Sequence, residues 1–148
     1  MKPASLIVFA ILAMTFVAQN AMADTTFDGT WSVTLNAHEY KNPDGTLALA
    51  VVLHFPAKVN DGVLHGDWRS KRTSSWLEIN GKIRTDGTAI LNVKGRTGDP
   101  AYTPLHPHIN KPFQYQVIAQ CDERHGTGKA DGSPRVNIFT FVKEVTNG

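Results

Sequence analysis

The sequence predicts an all-β protein: a small antiparallel up-and-down β-barrel of about eight strands, with a calycin-like outline. Three observations carry this. Apolar and polar residues alternate in short runs from Phe27 to Val142, the period of strands with one buried side. Turn signals separate the runs at Asn42-Pro43-Asp44-Gly45, Asn60-Asp61-Gly62 and Asp86-Gly87. No amphipathic helix pattern, internal repeat or second domain interrupts them. Closing such strands into a barrel removes the exposed edges of an open sheet.

The elements follow in order. Phe27 to Leu35 alternates, with Phe27, Trp31, Val33 and Leu35 on the buried face. After the turn at 42–45, Thr46 to Phe55 is expected as one long strand. Its heavy face is Leu47, Leu49, Val51, Leu53 and Phe55, and a lighter face holds Ala48, Ala50, Val52 and His54. Asn60-Asp61-Gly62 joins Ala57–Val59 to Val63–Trp68 as a hairpin. Ser70 to Ser75 is a polar, basic loop. Trp76 to Arg84 is the next strand, with Leu77, Ile79 and Ile83 on one face and Gly81 suggesting a bulge or bend. Thr88–Lys94, Phe113–Cys121 and Val136–Val142 complete the set. Two segments read as long loops. Residues 95–112 hold Pro100, Pro104, Pro107 and Pro112 and exceed the ~12–15 residues usual for a structureless loop. Residues 122–134 hold Gly126, Gly128 and Gly132.

The first 23 residues carry a different message. Lys2, an apolar run from Leu6 to Val17, and Ala21-Met22-Ala23 form a secretory signal, too short for a membrane span. The expected mature domain is 24–148, exported to a periplasm or secreted, with no cysteine near the cut to carry a lipid anchor. Formal net charge is +2, which argues against a nucleic-acid binder. The single cysteine, Cys121, excludes an intramolecular disulfide. It shares the phase of Phe113, Tyr115, Val117 and Ala119, so it points into the core. Burial and its neighbours Asp122 and Glu123 make it a poor nucleophile.

Gly29-Thr30-Trp31 in the first strand resembles the Gly-x-Trp signature that opens calycin barrels: lipocalins, avidins and bacterial metalloprotease inhibitors. Val136 to Phe141 is similar to the closing strand of avidin-type barrels. Phe27–Ser32, the Gly126–Lys129 loop and Phe139–Phe141 resemble elements of small exported alphaproteobacterial proteins. The resemblance implies a barrel and assigns no functional residue. No tryptophan follows Trp76, which argues against an avidin-type biotin pocket.

Candidate sites are sparse. Trp68, Trp76 and Tyr102 are the aromatics that packing explains least, and aromatics at a barrel mouth stack on ligands. Arg69, Lys71 and Arg72 flank the two tryptophans and suit an anionic group, although such charges also blunt a strand edge. His106-Pro107-His108 places two imidazoles on one side of an extended backbone. With His125, Asp122 or Glu123 they are the residues to hold Zn or Cu, against the simpler reading of solvated loop histidines. Gly126-Thr127-Gly128-Lys129 lacks the spacing of a phosphate loop. No nucleophile-elbow pattern surrounds any serine, so catalysis is not favoured.

The expectation is an exported, non-catalytic binding protein, monomeric or weakly associating, with a small-molecule ligand at the barrel mouth. Two alternatives stand. One is a protein-interaction module, an inhibitor or accessory subunit of another exported protein, that uses the 95–112 loop. The other is a metal-binding protein built on His106 and His108.

Overall fold

The structure is a computed structural model that describes residues 25–105 and 109–147. The expected signal segment and His106-Pro107-His108 lie outside the described residues. Eight antiparallel strands close a barrel: β1 (Gly29–Ala37), β4 (Val51–Asn60), β5 (Val63–Trp68), β6 (Trp76–Ile83), β7 (Thr88–Arg96), β8 (Pro112–Cys121), β9 (His125–Asp131) and β10 (Asn137–Lys143). Each pairs with the next in the chain, and β10 returns to β1. A two-stranded hairpin, β2 (Tyr40–Lys41) with β3 (Leu47–Ala48), sits in the connection from β1 to β4. A single 3-10 turn spans Pro100–Tyr102, and the described residues contain no α-helix.

Several expectations are corrected. Residues 122–134 are not one loop, because β9 runs through them. Its inward positions are Gly126 and Gly128, which hid the apolar alternation. Only glycine fits at 128: a Cβ there would lie 2.6 Å from Val117 Cγ1 and 3.0 Å from Ala119 Cβ. Thr46–Phe55 is not one strand. It breaks between β3 and β4, and β4 instead runs on through Pro56 to Asn60. Pro56 is tolerated because β5 begins pairing only at Ala57, leaving that side of Pro56 free of ladder partners. Gly81 makes no bulge, since the registers of β6 with β5 and β7 run through it unbroken. Phe27 is not in β1 but in a turn beneath it, closed by the Asp28 amide donating to the Thr25 carbonyl (3.0 Å).

The barrel has two unlike ends. At one end the connections are tight: 61–62, 84–87 and 122–124. Asp61 and Gly62 both take positive φ, as the Asn60-Asp61-Gly62 signal requires. The Asp28 carboxylate accepts from both of their amides (3.0 and 3.1 Å). Here the interior is filled. Trp31 is fully buried beside small partners, Ala57 in register and then Gly66. Its indole N–H donates to the Phe27 carbonyl at 2.8 Å. Phe139 and Phe141, stacked at 6.3 Å, pack with Val33, Val59, Leu64, Ile83, Leu91 and Val117. At the other end lie four longer connections, 38–50, 69–75, 97–111 and 132–136.

Cys121 closes the inward row of β8, as expected, and is buried. Burial pushes its thiol up to about 11, with Asp122 adding to the effect. The thiolate is therefore scarce at neutral pH. A thiol whose value rises on folding contributes a pH-dependent part of the stability. Below the ordinary thiol value of ~8.5 the contribution is intact, and it is lost as pH rises towards the folded value.

Two outcomes are expected. Trp31→Ala should cost about 3–5 kcal/mol in urea unfolding, and Trp76→Ala, half-buried at the other end, far less; equal losses would contradict the filled-end account. In the native protein at pH 8, Cys121 should resist a thiol reagent such as dithionitrobenzoate and react once guanidinium unfolds the chain. Rapid native labelling would contradict its burial.

Candidate functional site

The end with long connections encloses a cavity of about 690 Å³. Its wall comes from the inward rows of six strands as they reach this end: Leu35 and Ala37 on β1, Leu53 on β4, Trp68 on β5, Leu77 on β6, Phe113 and Tyr115 on β8, and Asn137 on β10. Most of this wall is apolar. Phe113 and Tyr115 stack at 6.0 Å, and Tyr115 tilts against Phe139 of the filled half at 6.4 Å. The cavity thus begins where the filled core ends.

The connections shape the mouth. Residues 97–105 and 109–111 lie against it and are fastened at several points. The Thr97 amide donates to the Lys111 carbonyl (2.8 Å), and the Asn110 amide to the Thr97 carbonyl (2.7 Å). The Asp99 carboxylate caps the 3-10 turn by accepting from the Ala101 amide (2.9 Å). Asn42 of the β2–β3 hairpin is buried, and its side-chain oxygen accepts from the Leu105 amide across the mouth (2.7 Å). The Leu49 amide donates to the Ala101 carbonyl (2.9 Å). The described parts of the proline-rich segment therefore fold back over the barrel and do not project from it.

The structure brings together four of the six aromatic and basic residues singled out for a ligand. Trp68, Arg69, Trp76 and Tyr102 all border this cavity. Trp68 belongs to its wall, in phase with Leu64 and Gly66, and the Arg69 guanidinium lies 4.3 Å from its ring centre. Arg69 takes φ 62, a left-handed backbone that starts the 69–75 connection. Trp76 is out of phase with Leu77 and Ile79 and belongs to the rim. Its ring carries the Lys71 ammonium at 5.3 Å. Lys71 is drawn to the outer wall by its ion pair with Glu78. Arg72 is exposed in the same connection and does not border the cavity. His125 is at the opposite end from this cavity, beside Asp122 (3.8 Å). Asp122 spends its carboxylate on the amides of Arg124 and His125 (2.8 and 2.7 Å). Among the described residues no three His, Cys, Asp or Glu side chains gather to hold a metal ion.

Among the polar groups in the cavity that were not singled out from the sequence are Tyr115, Arg135 and Asn137. Burial holds the Tyr115 hydroxyl well above the usual phenol range, against opposing effects of Arg135 and the Asn137 amide. Burial also lowers the half-buried Arg135 guanidinium from its ordinary value. Asn137 is 5% exposed. The phase of Asn137 with Phe139 and Phe141 was the signal available, since alternation places all three inward. The chain matches no known protein family, no characterised protein and no solved structure.

The 69–75 side of the mouth depends on Glu78. Its carboxylate pairs with Lys71 and Lys94 (3.6 Å to the latter) and accepts from the Asn80 amide (3.1 Å). The Lys71 bond holds Glu78 below the usual carboxylate range, against its desolvation. A depressed folded value stabilises above the unfolded value of ~4.3 and is lost as pH falls through the folded one. Glu78→Gln should therefore lower the urea midpoint at pH 7, and the gap from wild type should close at pH 3. A gap unchanged between the two pH values would contradict the assignment.

Proposed function

We propose that this protein is an exported, non-catalytic carrier that holds one small, largely apolar molecule in the open end of its barrel. The observation that carries the reading is the cavity itself, about 690 Å³ with an apolar wall and a few convergent polar groups. Ligand sites for small molecules run to roughly 300–1,000 Å³ with this kind of lining. An eight-stranded barrel has room for one such ligand when its side chains do not fill it. Here large residues fill one half, and the ligand takes the other. The polar outer wall, with Thr34, His54, Lys58, Asn92, Gln114 and Gln116 facing out, supports a carrier that moves in water. The signal-like N-terminal sequence supports export, and the Gly29-Thr30-Trp31 opening of a closed eight-strand barrel supports a calycin-like relationship.

A second reading, a protein-interaction module, has one observation in its favour. Ile90 and Ile118 sit side by side in register on the outer wall, 56% and 58% exposed. The described parts of the proline-rich segment, 97–105 and 109–111, lie folded back on the mouth.

The test is titration with N-phenyl-1-naphthylamine, a neutral apolar fluorophore. Saturable one-to-one binding is expected, weakened about tenfold by Leu53→Trp, which narrows the cavity at its wall without changing charge. An absence of saturable binding would overturn the carrier reading, as would binding indifferent to Leu53→Trp.

A further inference from the structure

We infer that the ligand is an organic acid: a flat apolar body between Trp68, Phe113 and Leu77, an anionic group on Arg135, and an adjacent N–H or O–H donated to Asn137. The inference rests on the cavity being a ligand site and adds the chemistry of what enters it.

Asn137 supplies the first argument. It is 5% exposed and borders the cavity. Its Nδ2 donates to Ser133 Oγ at 3.2 Å, while its Oδ1 is buried and accepts from nothing. Buried acceptors in folded proteins almost always have a donor. An acceptor left without one at a cavity wall marks where a ligand's N–H or O–H belongs. An ionised acid has no donor of its own, so the donor must stand beside the acid group.

Arg135 supplies the second. Two residues before Asn137, it borders the same cavity, and both neighbour the Tyr115 side chain. Its Nη1 donates to a neutral acceptor, the Leu49 carbonyl, at 3.2 Å. Among the described residues no carboxylate forms an ion pair with it, and the four pairs present involve only lysine and histidine cations. A half-buried guanidinium without a counter-charge is a poorly solvated cation. Its planar fork of donors matches an oxyanion group. The mouth adds a field of the same sign: among the described residues Arg69, Arg96 and Lys111 border it against one carboxylate, Asp99, which caps the 3-10 turn. The walls on either side of this polar corner are aromatic and aliphatic. The complementary molecule is therefore amphipathic, with one charged edge.

Two matched probes test this. 1-Anilinonaphthalene-8-sulfonate carries a sulfonate next to a bridging N–H; N-phenyl-1-naphthylamine has the same rings and N–H without the acid. Fluorescence titration should give affinity for the acid at least about tenfold above that for the neutral probe. The ratio should collapse towards one in Arg135→Met and persist largely in Arg135→Lys. Lys129→Gln, on the outer wall, should leave it as in wild type. Near-ultraviolet circular dichroism checks that each variant is folded. If Arg135→Met is not folded, Arg135→Gln takes its place, and the wild-type ratio still decides. Equal affinities in wild type would overturn the inference and leave the carrier reading standing. So would a preference that survives in folded Arg135→Met. If neither probe binds, both fall together.

Discussion

The burial of one indole organises this barrel. Trp31 has no exposed surface, so its N–H must find an acceptor inside the protein. The acceptor is the Phe27 carbonyl, which reaches it only if the chain before β1 turns beneath the barrel. That turn brings the Asp28 carboxylate under the β4–β5 turn, where it satisfies the Asp61 and Gly62 amides. The indole in turn needs space, and Ala57 and Gly66 beside it leave that space. One bulky side chain therefore ties the entry of β1, the first tight hairpin and the small residues of two neighbouring strands into one closed end.

A closed end of this kind leaves the other end free to differ. The three connections beside Trp31 are short turns with local hydrogen bonds. The four at the far end are longer; the 38–50 connection is tied to 97–111 through Asn42 and Leu49 and to 132–136 through Arg135. The inward rows change character along the same axis. Phe139, Phe141, Val117 and Leu91 fill the interior, and Leu53, Leu77, Phe113 and Tyr115 line a space without filling it. Packing is thereby concentrated in one half, and a cavity with an incompletely partnered polar corner is tolerated in the other. The Asn137 oxygen and the Arg135 guanidinium, unsatisfied and unpaired among the described residues, are costs that the packed half offsets.

Much of the architecture was legible in the sequence because alternation and turn chemistry act locally. The Asn60-Asp61-Gly62 hairpin, the 42–45 turn and the inward row from Phe113 to Cys121 all follow from residues within a few positions. The closed eight-strand barrel follows from their number and spacing. β9 was not legible, because its inward residues are glycines that Val117 and Cys121 require, and that requirement lies on another strand. The break between β3 and β4 was hidden in the same way, since Leu49 is held by Ala101 far along the chain. For the candidate site, Trp68, Trp76, Tyr102 and Arg69 stood out as aromatics and charges without a packing role, and they do meet at one cavity. Arg135 and Asn137 did not stand out. Their significance lies in what each lacks, a counter-ion or a donor, and only the assembled barrel displays a missing partner. His125 was grouped with the 106–108 histidines because both fell in apparent loops; it instead opens β9, at the tight-turn end of the barrel.

The central claim is that one half of the barrel is closed on Trp31 and the other is open. Three tryptophans make it directly observable, because each gives one indole N–H resonance in an 15N-labelled sample. Hydrogen exchange of the three indoles, measured with and without a saturating apolar probe, is the decisive experiment. The account predicts that Trp31 exchanges only through global unfolding and keeps its chemical shift. Trp68 should exchange fast and shift when the probe binds. A Trp31 indole that exchanges as fast as Trp68, or one that moves on probe binding, would contradict it.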